Sequence, residues 1–223
     1  MTAPGPRVRV ALVAGIVVLH FGVYRLVNQV NAGRPASAFL DLSTRADGWL
    51  PYLGWTWVVY YAALPYVVGF GSLAVLRLPA RLAVRAAGTF VVMMLAGGAL
   101  QLIFPARSPW PAEAWSVQRF FHESVSYDPF VCLPSMHVAL VTLTACLASA
   151  VSPTARTRIA HGAMVVLVSL STLTLKEHYV WDVVAGGLLA AAAFAVWRRG
   201  AEAPLAAWTA LPSGARAGKG AES

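Results

Sequence analysis

Two short stretches, Leu133-Pro134-Ser135-Met136-His137 and His178-Tyr179-Val180-Trp181-Asp182, each stand where an apolar run of the sequence begins. Each stretch therefore places a histidine at the predicted start of a helix. His178 and Asp182 are four residues apart, a spacing that puts both side chains on one helical face. A carboxylate in this position orients the imidazole and supports it as a nucleophile. His137, at a helix start rich in free N–H groups, predicts an anion site with a proton donor beside it.

The composition around these stretches is that of a membrane protein. The 223 residues are 58% hydrophobic and only 12% charged, and the mean hydropathy is +0.65. A soluble globular domain carries about 25% charged residues. The net charge of +8 would suggest nucleic acid in a soluble protein, but here the basic residues lie between long apolar runs. Membrane topology explains them better, so we expect no nucleic-acid partner.

Six apolar runs have lengths suited to membrane spans, for which about 20 residues cross the hydrocarbon core. They are residues 8–30, 52–78, 82–104, 137–151, 159–175 and 179–197. The sequence therefore predicts an all-α, polytopic membrane protein, a bundle of six transmembrane helices that forms one domain over residues 1–197. Residues 198–223 are small and polar, and we expect a disordered cytoplasmic tail there.

Polar and aromatic residues predict local features of the bundle. His20, Tyr24 and Asn28 recur every four residues along the first run, so we expect them to face neighbouring helices. The aromatic residues of segment 55–61 open the second run and are typical of an interfacial belt. In the long hydrophilic segment before the fourth run, residues 115–125 predict a short amphipathic helix lying on the membrane.

The basic residues are divided unequally between the two sides of this bundle. Eleven lie on the side of both termini: Arg7, Arg9, Arg77, Arg81, Arg85, Arg156, Arg158, Arg198, Arg199, Arg216 and Lys219. Six lie on the other side: Arg25, Arg34, Arg45, Arg107, Arg119 and Lys176. The positive-inside rule therefore predicts cytoplasmic termini in the plasma membrane, with both histidine motifs on the outer face.

Phosphoryl transfer is the chemistry that these residues favour. It needs a nucleophile, a proton donor for the leaving oxygen, and positive charge around the phosphate. His178 with Asp182 supplies the first, and His137 supplies the second. The candidates for binding the phosphate are Arg107, Ser135 and Lys176. We expect a lipid phosphate as substrate, because the site lies at a membrane surface.

Each of these residues also has an interpretation without catalysis. A histidine and an aspartate four residues apart can be a buried hydrogen bond, and Ser135 can be an ordinary N-cap. A zinc site built from His137, His178 and Asp182 is a weaker hypothesis, since no HExxH-like or cysteine–histidine spacing accompanies it. We expect no metal and no cofactor. A non-enzymatic membrane protein is the alternative, but ionisable residues gathered in a membrane bundle favour an enzyme.

The same residues resemble the motifs of the type 2 phosphatidic acid phosphatase (PAP2) superfamily. The second motif of that family reads Pro-Ser-Gly-His, and Pro134-Ser135-Met136-His137 is similar to it. The third reads Ser-Arg, five residues, His, three residues and Asp, which resembles Ser171-Thr172 followed by His178 and Asp182. The resemblance implies that His178 is the nucleophile, Asp182 its partner and His137 the acid for the leaving group.

The chain departs from the family pattern at three points. Met136 stands in place of the glycine, Thr172 stands in place of the arginine, and a Lys-x6-Arg-Pro first motif is missing. Phe104-Pro105-x-x-x-Pro109-Trp110 instead resembles the first motif of the inositol-phosphotransferase branch, which includes inositolphosphorylceramide synthases. That branch also has a His-Tyr-x-x-Asp pattern, matched by His178-Tyr179 and Asp182.

The resemblance covers roughly residues 100–190, the motif-bearing core of the chain. It implies a membrane enzyme that forms a phosphohistidine intermediate on a lipid phosphate. Hydrolysis of the lipid phosphate and transfer of a head group both stay open, because the two reactions share this intermediate.

Overall fold

The computed structural model describes residues 6–109 and 130–211. The helices in these ranges are α1 (Pro6–Ala32), α2 (Arg45–Trp49), α3 (Trp57–Tyr66), α4 (Ser72–Arg77), α5 (Ala80–Ile103), α6 (Met136–Val151), α7 (Ala155–Thr174) and α8 (Val180–Thr209). A π-helical stretch, Val67–Gly71, joins α3 to α4, so that Gly54–Arg77 forms one continuous span.

The architecture is an all-α polytopic bundle, as the sequence predicts. By length and composition, α1, the Gly54–Arg77 span, α5, α7 and α8 can each cross a membrane. The sixth apolar helix, α6, has only 16 residues. It is also the most enclosed: it packs against α5, α7, α8 and the second span. Leu143 and Leu147 of α6 are fully buried.

Two glycines allow the start of α6 to lie very close to its neighbours. A Cβ atom at Gly186 of α8 would collide with the backbone carbonyl of Ser135. A Cβ atom at Gly97 of α5 would collide with the thioether of Met136. Small residues of this kind let membrane helices approach closely. Gly97 therefore makes room for the methionine that stands in place of the motif glycine.

The second span stays helical through Pro65, which has no N–H to give to the helix. The π-helical stretch that follows widens the helix by about one residue per turn. Its last residue, Gly71, faces α5 and α6: an added Cβ would lie 3.6 Å from Thr144 Oγ1 and 3.7 Å from the ring of Phe90. The backbone of the span therefore lies close to these two helices at Gly71.

The prediction of a disordered tail from residue 198 onward is wrong for residues 198–209, which continue α8. Ala201 and Trp208 are buried there and join the main hydrophobic core. With Leu205 they recur at a helical spacing, so this segment has an apolar face that packs on the bundle. Residues 212–223 and the predicted amphipathic helix at 115–125 lie outside the described residues.

Candidate active site

The two histidine motifs are joined through their backbones. Ser135 is the N-cap of α6, and its hydroxyl accepts the Val138 N–H at 3.5 Å. The N–H of Ser135 donates to the carbonyl oxygen of Asp182 at 3.0 Å. Ser135 is completely buried. The hydroxyl predicted to bind phosphate therefore has a capping role in this structure, and its contact with phosphate stays a prediction.

His178 and Asp182 form the predicted pair, but His178 lies in the turn before α8 and not on one helical face with Asp182. Nδ1 of His178 lies 3.3 Å from Oδ2 of Asp182, and both side chains are buried. The same carboxylate oxygen accepts the Tyr179 N–H at 2.9 Å, which caps the start of α8. Because Nδ1 faces the carboxylate, Nε2 is the nitrogen of His178 that can react with a substrate.

His137 lies beside this pair. The ring centroids of His137 and His178 are 6.3 Å apart, at an interplanar angle of 61°. Tyr60 packs on the His137 ring with a centroid distance of 4.3 Å, and its hydroxyl lies 3.3 Å from Nδ1. Tyr60 is only 1% exposed, whereas Trp55 is 57% exposed. The prediction of an interfacial role is therefore wrong for Tyr60, which orients His137.

A cavity of about 740 Å³ extends from the two histidines into the bundle, and we call it the membrane cavity. Its walls come from α1, the second span, α5 and α6. Its polar side chains include His20, Tyr24, Arg25 and Gln101. Two of the residues predicted to face neighbouring helices, His20 and Tyr24, therefore line a cavity that also contains the histidine motifs.

A second cavity, of about 710 Å³, reaches His178 from the loops, and we call it the loop cavity. It is lined by Ser43, Thr44, Asp47, Gly48, Tyr52, Ser108, Pro109, Leu173, Lys176, His178 and Tyr179. Hydroxyl and charged groups predominate in this lining. His178 thus lies between an apolar cavity in the bundle and a polar cavity among the loops.

Lys176 holds the short helix α2 over the α7–α8 connection. Its ammonium group donates to the carbonyl oxygens of Asp47 at 2.8 Å and Leu50 at 2.7 Å. In turn, Asp47 Oδ1 accepts the Val180 N–H at the start of α8, at 2.8 Å. The ammonium group of lysine has three donors. Two of the three donors of Lys176 therefore bind carbonyl groups of α2 and its C-cap, and phosphate binding by this residue stays a prediction.

Arg107 and Arg25 have different surroundings, and phosphate binding by Arg107 stays a prediction. The guanidinium of Arg107 lies over the rings of Phe39, at 4.5 Å, and Phe130, at 5.2 Å. Within the described part of the chain, the lining of the two cavities includes Arg25 but not Arg107. Arg25 interrupts the first apolar run, and a charge within a span is a sequence signal that could have singled out this residue as a candidate.

The position of the family arginine supplies no positive charge. Thr172 is completely buried, and its hydroxyl donates to the carbonyl oxygen of Ser169 at 2.8 Å. The carbonyl of Thr172 accepts the N–H groups of Glu177 at 3.0 Å and His178 at 3.3 Å. This residue therefore shapes the turn that carries His178.

Two amide side chains fix the loop in front of α6. Gln101 Nε2 donates to the carbonyl oxygen of Pro134 at 3.1 Å. Asn31 Nδ2 donates to the carbonyl oxygens of Phe130 at 2.8 Å and Gln101 at 3.1 Å. Both side chains are buried. They tie the ends of α1 and α5 to the first histidine motif, a contact between distant segments that sequence spacing does not reveal.

Cys132 lies next to the His178–Asp182 pair. One potential ligand atom from each of these three residues lies within 4.8 Å of the others. Zinc binds cysteine as the thiolate. Burial, and then the negative charge of Asp182, raise the pKa of the Cys132 thiol well above its usual value. The thiol donates to the carbonyl oxygen of Glu177 at 3.6 Å, as a neutral group does. We interpret Cys132 as packing beside the pair, and the expected absence of a metal stays a prediction.

Of three comparisons with known proteins, the one with family models finds a match. Comparisons with curated proteins and with solved structures find no match. A family model of the PAP2 superfamily matches residues 36–196, more than two thirds of the chain. The matched range contains His137, His178 and Asp182, both histidine motifs, and the loops that carry them. The chain therefore belongs to the PAP2 superfamily, which indicates an activity of the phosphatase or phosphotransferase type.

Proposed function

We propose that this protein is an integral membrane lipid phosphatase or phosphotransferase, which works through a phosphohistidine on His178. The observation that carries the proposal is the pairing of two histidines, 6.3 Å apart, at the junction of an apolar and a polar cavity. A lipid phosphate has the same division, with an apolar chain on one side of its phosphorus and water-soluble oxygens on the other.

In the first step, the lone pair on Nε2 of His178 attacks phosphorus, and the bond from phosphorus to the lipid oxygen breaks. Asp182 accepts the Nδ1–H of His178 and stabilises the positive ring that forms. Protonated His137 donates its Nε2–H to the leaving lipid oxygen, while the Tyr60 oxygen accepts from Nδ1. The products are a phosphohistidine and a lipid alcohol.

In the second step, water or an alcohol attacks the phosphohistidine. His137, now neutral, accepts the proton of the attacking hydroxyl, and the bond from phosphorus to Nε2 breaks. Arg25 and the N–H groups at the start of α6 are our candidates for stabilising the phosphate oxygens in both steps. Water gives free phosphate, and an alcohol gives a transferred phosphate ester.

Transfer to a polyol is the second candidate function. The loop cavity favours it, because hydroxyl groups, an aspartate and a lysine line a space of about 710 Å³ that reaches His178. A sugar alcohol such as inositol is bound by groups of this kind. The resemblance of the Phe104–Trp110 segment to the inositol-phosphotransferase branch supports the same candidate.

One experiment tests both candidates. Purified protein is incubated with phosphatidic acid labelled in its phosphate, with and without inositol, beside the His178→Ala variant. We expect release of labelled phosphate by the wild type, an acid-labile phosphoprotein on rapid quenching, and loss of both in the variant. A labelled inositol ester would establish transfer. Free phosphate alone, whatever alcohol is present, would reject transfer to these acceptors, and equal turnover by the variant would reject the enzyme.

A further inference from the structure

We propose that the membrane cavity binds one hydrocarbon chain of the lipid substrate, and that its inner part, at Gly71 and Phe90, limits the chain length. This inference rests on the proposed function for the position of the phosphate. It adds a binding site for the chain and a rule for substrate choice.

The two ends of the membrane cavity differ in chemistry. The end near His137 and His178 carries the polar groups of His20, Arg25 and Gln101. The inner part is apolar apart from Ser72. Its walls are formed by Val13, Ile16, Val67, Val75, Phe90 and Met94. An apolar cavity of this kind does not hold ordered water. A molecule with a phosphate at one end and a hydrocarbon chain at the other matches this distribution.

The length of the cavity also fits a chain. Its lining on α1 runs from Arg25 to Val13, twelve residues, which is about 18 Å along a helix axis. The hydrocarbon core of a bilayer is about 30 Å thick. The length of the cavity therefore exceeds half of that thickness, and its volume of about 740 Å³ lies in the range of sites for small molecules.

Gly71 gives a way to shorten the cavity. It lines the inner part, and an added Cβ there would meet Phe90 and Thr144 at ordinary contact distances of 3.6–3.7 Å. A valine would therefore enter without a backbone collision and occupy space beside Phe90. Gly69, two residues earlier in the same π-helical stretch, is exposed, and a Cβ there meets nothing within 4 Å. Gly69→Val is the matched control for helix propensity.

The test measures turnover of dioctanoyl, dilauroyl and dipalmitoyl phosphatidic acid, and of farnesyl phosphate, in detergent micelles at equal mole fraction. We expect Gly71→Val to lower kcat/KM for the dipalmitoyl lipid by about 10-fold or more and to leave the dioctanoyl lipid nearly unchanged. Gly69→Val should follow the wild type. Equal effects on all chain lengths, or none, would overturn the chain-length limit. Farnesyl phosphate should follow the dilauroyl lipid, whose chain is of similar length, and a contrary result would overturn a limit that depends on length.

Two further measurements keep the test decisive. Phe90→Ala enlarges the inner part, so it should shift the preference towards longer chains. In the wild type, phosphatidic acid with a diazirine at the end of one chain should cross-link to residues near Gly71 and Phe90. Cross-links confined to the lipid-facing surface of the bundle would overturn the chain site. Cross-links at the inner part of the cavity without any phosphate release would leave the chain site standing and reject the proposed function.

Discussion

The carboxylate of Asp182 holds two donors at one oxygen, Nδ1 of His178 and the N–H of Tyr179. An amide oxygen at this position could accept the same two donors, but it carries no negative charge to stabilise the positive imidazole ring that forms when Nε2 attacks phosphorus. We therefore expect Asp182→Asn to lower kcat by about 100- to 10,000-fold, the range that loss of a triad carboxylate produces.

The measurement is single-turnover kinetics with labelled lipid phosphate, because it separates formation of the phosphohistidine from its breakdown. Trp181→Phe, a neighbouring position with an exposed side chain, is the control. An Asp182→Asn enzyme with wild-type kcat would show that the aspartate only caps α8.

Arg25 tests which positive charge holds the phosphate. It lines the membrane cavity, whereas Arg107 lies over two phenylalanine rings. A hydrogen bond to a charged group contributes about 1.5–3 kcal/mol, so we expect Arg25→Gln to raise KM by about 10-fold or more. Steady-state kinetics of Arg25→Gln and Arg107→Gln make the comparison. A large effect in Arg107→Gln alone would favour the sequence-based assignment over this one.

At the level of helices, the contact between α6 and α8 aligns the two histidine motifs. Gly186 faces the carbonyl of Ser135 so closely that no side chain fits, while an added Cβ at Gly187 meets nothing within 4 Å. We expect Gly186→Ala to separate the helices, to lower the free energy of unfolding by about 1–3 kcal/mol, and to reduce kcat. Gly187→Ala should leave kcat unchanged and should not lower the free energy of unfolding, which helix propensity would raise by about 0.5–1 kcal/mol.

Thermal unfolding in detergent, followed by tryptophan fluorescence, and turnover of phosphatidic acid measure the two effects. If both alanine variants behave alike, helix propensity rather than the close contact accounts for the result.

Local spacing explains which parts of the site the sequence could predict. His178 and Asp182 lie only four residues apart, so even with His178 in the turn before α8 their side chains can reach each other. Tyr60, Arg25 and Gln101 come from three other helices, and nothing in their local sequence connects them to the histidines. Their positions depend on how the helices pack, which one sequence does not specify.

The same reasoning applies to whole elements. The apolar runs predicted the spans, because about 20 apolar residues suffice to identify one. The end of α8 was missed because residues 198–209 are rich in alanine and charged residues, and their burial depends on Trp208 and Ala201 meeting the core. The contacts of Lys176 could not be predicted for the same reason, because local sequence does not reveal that α2 accepts two of its hydrogen bonds.

For the whole molecule, we propose that both termini face the cytoplasm and that the histidine motifs face outward, from the unequal division of basic residues. A reporter active only in the cytoplasm, fused after residue 223, should therefore be active. A second reporter, of a type that is active only outside the cytoplasm, should be active when it is inserted after Gly33, in the loop that follows α1. The opposite pattern at both positions would invert the bundle.

His178 belongs to the lining of both cavities. In the proposed reaction, this residue lies between an apolar phase, the membrane, and the aqueous phase. The lipid alcohol can leave by lateral diffusion in the bilayer, while the phosphate is released into the aqueous phase. Neither product has to pass the other. Cleavage of one bond would therefore partition the two products between the membrane and the aqueous phase.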